Sequence, residues 1–263
     1  MTEQAETEMS AAPSKDRNEE PTPERNTRFK DILKPEVLEK TQAMVVGVGA
    51  IGRQLTLQLA AIGVKNIWII DPEDVEIENL GAQGFFMDDM NIPKVEAVAK
   101  LCTRINPDVI IKTSKTKFRK EFVMDLVREG EAEAEKYFAI FSCVDDMKAR
   151  KSIWQAFEGR FLPEGEPGDP LALFVDARMG AEVARVLVVS HIEGKMYYPR
   201  TLFNAEDGLQ QSCTAKTTIY CANMAAAMMV GQFSKWARGI LIDKDILYNI
   251  FAAMMIQNYE DES

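Results

Sequence analysis

Several residues of this chain stand at spacings suited to chemistry on a nucleotide. GVGAIG (47–52) places Gly47, Gly49 and Gly52 in a GxGxxG pattern between two apolar runs, AMVVGV and RQLTLQLAAIGV. Between a strand and a helix, each glycine has a physical task. Gly47 permits a tight turn, Gly49 lets backbone approach a phosphate, and Gly52 lets the helix pack closely on the strand. The helix start then offers free N–H groups and a partial positive charge to an anion. Asp71 lies nineteen residues beyond Gly52, at the end of KNIWIID, where a carboxylate can accept hydrogen bonds from ribose hydroxyls. Glu73, Asn79, Gln83 and Lys94 follow. Glycines and acid alone leave NAD, FAD and ATP open. The added amides and ammonium are more than a nicotinamide cofactor requires.

The elements that must carry these residues can be read from periodicity. DILKPEVLEKTQ (31–42) predicts a short helix leading into the strand AMVVGV. Leu55, Leu59 and Ile62 recur at helical spacing, and KNIWIID reads as a strand buried on both faces. PKVEAVAKLCTRINPDV predicts a helix and turn closed by Pro107. A third strand is expected over 109–114, a helix over 119–129, and a fourth strand in FAIFSCV (138–144). After the loop LPEGEPGDP (162–170), LALFVDA and EVARVLVVSHI read as strands with few helices between them. TTIYCANMAAAMMVGQFSKWARG (217–239) predicts a long helix and DILYNIFAAMMIQNY (245–259) a last one. The fold class is α/β and Rossmann-like: a mostly parallel sheet with helices on both faces and an antiparallel extension in the second half.

Composition narrows the setting. With 46% apolar and 27% charged residues among 263, the chain suits one large, well-buried domain. Its net charge of -10 argues against a broad nucleic-acid interface. Residues 1–24 hold seven acids and two bases and few large apolar side chains, so a disordered acidic tail is expected there. No apolar run suits a membrane span and no signal-peptide pattern is seen, which points to the cytoplasm. The cysteines, Cys102, Cys143, Cys213 and Cys221, form no CxxC pair, and His191 is the one histidine; no structural zinc is expected.

Taken in order, these residues resemble the ThiF/MoeB/ubiquitin-activating adenylyltransferase superfamily. The similarity rests on Gly47–Gly52, Asp71-x-Glu73-x-Val75, Asn79-Leu80-Gly81-Ala82-Gln83, Lys94 and Cys143-Val144-Asp145. TRINPDV (103–109) and Arg150 also match, and the likeness runs from about Arg25 to Arg238. It implies a single ThiF-type adenylation domain over 25–263. The implied chemistry uses ATP and Mg²⁺: a carboxylate attacks the α-phosphorus, giving an acyl-adenylate and pyrophosphate. Asp71 would hold the ribose and Asp145 the Mg²⁺; Lys94 and Arg28 would neutralise phosphate charge, and Asn79 and Gln83 would orient the triphosphate. The implied partner is a ubiquitin-like or sulfur-carrier protein with a C-terminal glycine. A homodimer is implied too, because Arg25-Asn26-Thr27-Arg28 resembles a segment that reaches the partner's nucleotide.

Two positions qualify the resemblance. Position 82 is Ala where the family usually carries an arginine against the terminal phosphates. Either the chain is a non-catalytic partner subunit, or another cation substitutes, and Arg53 is the nearest in sequence; we favour substitution, since Lys94, Asp145 and Arg28 are retained. Cys213, in QQSCTAKTT, stands where relatives can take the acyl group as a thioester, an expectation weighed evenly against an inert loop cysteine. Cys102, Cys143 and Cys221 are read as core, and Asp176 with Arg178 as a structural ion pair. A tRNA-modifying relative fits the acidic balance poorly, and a dehydrogenase leaves Asn79, Gln83, Lys94 and Asp145 without a task.

Overall fold

A computed structural model of the chain describes residues 28–130, 136–191, 193–203 and 218–257. A helix α1 (Pro35–Lys40) opens onto β1 (Thr41–Val46), and the glycine turn leads to α2 (Ala50–Ile62). Then come β2 (Asn66–Ile70), a short α3 (Ile77–Gln83), α4 (Lys94–Ile105), β3 (Ile110–Ser114), α5 (Glu121–Gly130) and β4 (Tyr137–Ser142). The second half holds α6 (Met147–Phe161), β5 (Ala172–Gly180), β6 (Val183–Val189), α7 (Ile219–Ala237), β7 (Asp245–Asn249) and β8 (Met254–Gln257).

The strands form one sheet in the order β3-β2-β1-β4-β5-β6-β7-β8. From β3 to β5 all neighbours are parallel, and from β5 to β8 all are antiparallel. The mixed sheet matches the sequence expectation. Chain order runs outward from β1 in one direction and from β4 in the other. The β1/β4 boundary is therefore the topological switch point, beside which open α/β sheets bind ligands at their carboxyl ends.

Alternation along the buried strands divides the core into two layers. On one face, Val45, Ile67, Ile69, Phe141 and Val175 pack with α2, α4 and α7 through Leu55, Leu59, Val98, Ala225, Met229 and Phe233. The alanines of α7 are small enough to let that helix lie close to the sheet. On the other face, Met44, Trp68, Ile70, Ile140 and Phe174 meet α5 and α6 through Phe122, Leu126, Trp154, Phe157 and Phe161. Both faces of β1, β2, β4 and the first part of β5 are thus covered, as their continuous apolar pattern requires, whereas β3 at the sheet edge is largely exposed.

The end of the chain departs from the sequence expectation. Residues 245–257 form a hairpin, β7 and β8, instead of a helix. Ala-Ala-Met-Met favours helix locally, but the neighbouring strand overrides it. Asp245 is fully buried, where the Arg185 guanidinium of β6 donates to both its oxygens at 2.8 Å and the Tyr197 hydroxyl donates at 2.7 Å. Anchored there, Ile246 to Asn249 pair with β6 and the chain turns back through Ala253, whose φ is 49°. The expected helix over 31–42 is also shorter, because Thr41 and Gln42 already belong to β1. The expected acidic tail lies outside the described residues.

Candidate functional site

The glycine turn sits at the switch point, and its three glycines differ in kind. Gly47 has φ 86°, and a Cβ there would stand 2.9 Å from the Cys143 carbonyl oxygen. It needs to be glycine for its conformation and for the close passage of the segment leaving β4. A Cβ on Gly52 would overlap the Gly47 carbonyl oxygen, so glycine there seats α2 against the turn. Gly49 has room for a Cβ, which would make ordinary contact with the Gln83 carboxamide, the nearest atom being Oε1 at 3.6 Å. Gly49 is the N-cap of α2, with no side chain capping the helix and no acid in its first turn. The first N–H groups of α2 therefore have no helical acceptor and can receive an anion.

Asp71 holds this turn in shape. Its Oδ2 accepts the Val48 N–H at 2.8 Å and its Oδ1 accepts the Glu73 N–H at 2.9 Å. Burial pushes its carboxyl above the usual range, while these two bonds and the Lys94 charge pull it back. Each oxygen keeps a further lone pair, which a ribose hydroxyl could use. The 73–75 segment is pinned to the start of α4: Lys94 N–H donates to the Glu73 carbonyl at 3.0 Å and Val75 N–H to the Ile92 carbonyl at 2.9 Å. That pairing delivers Lys94, 2% exposed, to the base of the site, with its Nζ 2.6 Å from the exposed Glu73 carboxylate. Lys94 is thus paired with Glu73 in this structure, an ion pair a phosphate would have to share.

Asn79 and Gln83 are one turn apart on α3 and share a face. Asn79 is buried with its Oδ1 accepting the Glu76 N–H at 2.8 Å, half of a capping box that starts the helix. Its amide nitrogen is left for a ligand. The Gln83 carboxamide covers Gly49, and its Oε1 is buried with no hydrogen-bond partner. Gln54 Nε2 donates to the Gln83 carbonyl at 3.2 Å, fastening α3 to α2. Arg53, on α2, is buried beside the same segment; burial lowers its pKa and Asp89 opposes the shift.

Beyond β4 the chain passes Cys143 and Val144 to Asp145, which is exposed. Asp146 caps α6 through bonds from the Lys148 and Ala149 N–H groups, leaving Asp145 uncommitted to the helix. It stands at the carboxyl end of β4, while Asp71 follows β2 on the other side of β1. Among the described residues no cluster of three or more His, Cys, Asp or Glu could hold a metal. Mg²⁺ characteristically takes one or two carboxylates and completes its shell with phosphate oxygens and water, and Asp145 fits that pattern.

Beneath this loop lies a charge cluster. Arg150 donates to the Val144 carbonyl, the Ala177 carbonyl and Asp176, and Arg178 Nε donates to Asp176 at 2.8 Å. Arg178 also reaches the Thr201 carbonyl and hydroxyl. Asp176 and Arg178 are on β5, so their role is the structural ion pair expected, and Arg150 props the Cys143–Asp145 loop from below. The structure does not join Arg28 to the site. It is exposed ahead of α1, and among the described residues no hydrogen bond or ion pair links it to the glycine turn. Cys213 lies outside the described residues. Burial raises the pKa of Cys143, and takes Cys102 up to about 12 and Cys221 up to about 11.

Comparison with known proteins agrees with this geometry. A 137-residue stretch is 31% identical to ubiquitin-like modifier-activating enzyme 5 of Drosophila pseudoobscura pseudoobscura, covering 50% of this chain and 34% of that protein. The sulfur carrier protein ThiS adenylyltransferase of Escherichia coli K12 is 27% identical over 114 residues, 43% of each chain. The matched stretch thus spans about a third to under a half of these relatives. Among solved structures, PaaA superposes with a TM-score of 0.68 at 15% identity, covering 96% of this chain and 77% of that one. E. coli MccB solved with ATP gives 0.62 at 15% identity, covering 90% and 72%. These two share the fold. The ThiF family model matches residues 24–254, and the chain belongs to the ThiF family.

Proposed function

We propose that this chain is an ATP-dependent adenylyltransferase that activates a carboxylate as its acyl-adenylate. The observation that carries the reading is the glycine turn at the switch point, with its uncapped helix start, latched by Asp71 on one side and facing the Asp145 loop on the other. Such a site does little covalent work; it positions reactants and neutralises charge. A carboxylate oxygen forms a bond to the α-phosphorus, the bond to the bridging oxygen breaks, and pyrophosphate leaves. Asp71 would hold the ribose, and the α2 N–H groups with Lys94, Gln83 and the Asn79 amide nitrogen would hold the phosphates. Mg²⁺, held by Asp145, would offset the charge of the leaving pyrophosphate.

The substrate class we propose is the C-terminal glycine of a ubiquitin-like or sulfur-carrier protein. The names of the relatives support it: a ubiquitin-like modifier-activating enzyme and a sulfur-carrier adenylyltransferase. MccB, which shares the fold, has been solved together with AMPCPP and MccA. The working unit proposed is a homodimer in the cytoplasm, with Arg28 serving the partner's nucleotide, a single adenylation domain over 25–263, and Cys213 as a candidate thioester acceptor. A second reading, a nucleotide-binding subunit without catalysis, rests on Ala82.

Hydroxylamine trapping separates the two. With ATP, Mg²⁺ and a carrier ending in glycine, adenylation yields a hydroxamate at the carrier's C terminus, seen by mass spectrometry. ATP binding with neither hydroxamate nor AMP formed, whatever carrier or peptide is supplied, contradicts the enzyme reading.

A further inference from the structure

The missing cation at position 82 has a counterpart on the facing helix. Arg53 follows Gly49 by one turn of α2, its N–H donating to the Gly49 carbonyl at 3.0 Å, so both residues lie on the same face of that helix. The Gln83 side chain covers Gly49, and the residues just after Gln83 cover Arg53. The guanidinium carbon lies 5.2 Å from the centre of the Phe85 ring and 5.9 Å from that of Phe86. A Cβ on Gly84, whose φ is 80°, would stand 2.7 Å from Ile219 Cδ1 and 3.2 Å from Arg53 Nη1, so glycine there lets both side chains lie against the backbone.

The guanidinium is incompletely satisfied there. Arg53 is 5% exposed, and its Nε has no hydrogen-bond partner. Asp89 acts on its charge and accepts the Phe86 N–H at 3.0 Å. Gln83 Oε1, over Gly49, is the other buried polar atom of this wall without a partner. A buried cation with an unfilled donor, next to a helix start with free N–H groups, is a site that an anion completes. The two aromatic rings hold the planar group from its sides and restrict its rotamers, which pre-organises it for an incoming phosphate.

We propose that Arg53 binds the terminal phosphates of ATP, taking from α2 the task that relatives assign to the arginine of α3. The inference rests on the nucleotide-site reading above. It explains how the chain can keep a triphosphate site with alanine at position 82: the cation comes from α2, which packs against α3.

The test compares equilibrium binding of ATP and AMP, with Mg²⁺, to wild type, Arg53→Ala and the double variant Arg53→Ala/Ala82→Arg. Removing a cation from a phosphate site predicts that Arg53→Ala binds ATP about 30-fold or more weakly. AMP affinity should stay within about twofold, since AMP lacks the phosphates concerned. The double variant should recover most of the lost ATP affinity. Equal weakening of ATP and AMP assigns Arg53 a structural role and overturns the proposal, as does unchanged ATP affinity. If Arg53→Ala does not fold, Arg53→Gln keeps the length of the side chain and is read in the same way. Wild-type protein that binds neither ATP nor AMP overturns the nucleotide-site reading, and this inference with it.

Discussion

At the scale of single residues, the glycine turn separates folding from binding. Gly52→Ala forces a Cβ into the Gly47 carbonyl and should cost about 3 kcal/mol or more of stability, measured by urea unfolding. Gly49→Ala meets nothing closer than the Gln83 side chain, so it should fold with a melting temperature near wild type yet lose ATP binding. If Gly49→Ala bound ATP normally, the phosphates would not rest on that turn. Cys102 gives a pH test. Its thiol is buried and its pKa is taken up to about 12 from 9.0. The folded state therefore holds its proton while the unfolded state releases it, so stability present below pH 9 is lost as pH rises toward 12. Cys102→Ala should show a shallower fall over that window in pH-dependent unfolding, and an identical slope would place the thiol in a water-like setting. The glycines and Asp71 were legible because their jobs depend on spacing along the chain. Asp71's grip on the Val48 N–H, the aromatic wall around Arg53 and the capping bond that occupies Asn79 were not, because each depends on a residue brought near by folding.

At the scale of elements, buried charge fixes the pieces that periodicity leaves ambiguous. Asp176 is fully buried between Arg150 and Arg178. Asp176→Ala leaves two guanidinium groups without their carboxylate and should cost about 3–5 kcal/mol; a loss below about 1 kcal/mol in denaturant titration would show the cluster to be dispensable. Asp245→Ala should release β7 and β8, seen as early hydrogen exchange of Ile246–Asn249 amides relative to β1. Protection equal to that of β1 would show that strand pairing alone holds the hairpin. The sequence expectation of a helix there failed because the residues that decide it, Arg185 and Tyr197, are 60 and 48 positions from Asp245. Helix α6 was not read from the sequence, although Ile153, Trp154, Phe157 and Phe161 have helical spacing and all are buried. Helix α3 gave less signal, since seven residues including Gly81 offer little periodicity.

At the scale of the whole molecule, the alternation of strands and helices foretold the mixed sheet, and the order of its strands places three sequence-distant motifs together at the carboxyl ends of its central strands. The turn after β1, Asp71 after β2 and Asp145 after β4 converge because β1 lies between β2 and β4. A site assembled this way should catalyse the reversible first half of adenylation. ATP–pyrophosphate exchange with a glycine-terminated carrier tests this most directly, run with wild type and with Asp145→Ala. Adenylation predicts label entering ATP only when the carrier's terminal carboxylate is present, with exchange reduced at least about 100-fold in Asp145→Ala, in line with the loss of transition-state charge stabilisation. Exchange that is absent in wild type with every carboxylate offered, despite measurable ATP binding, would contradict it.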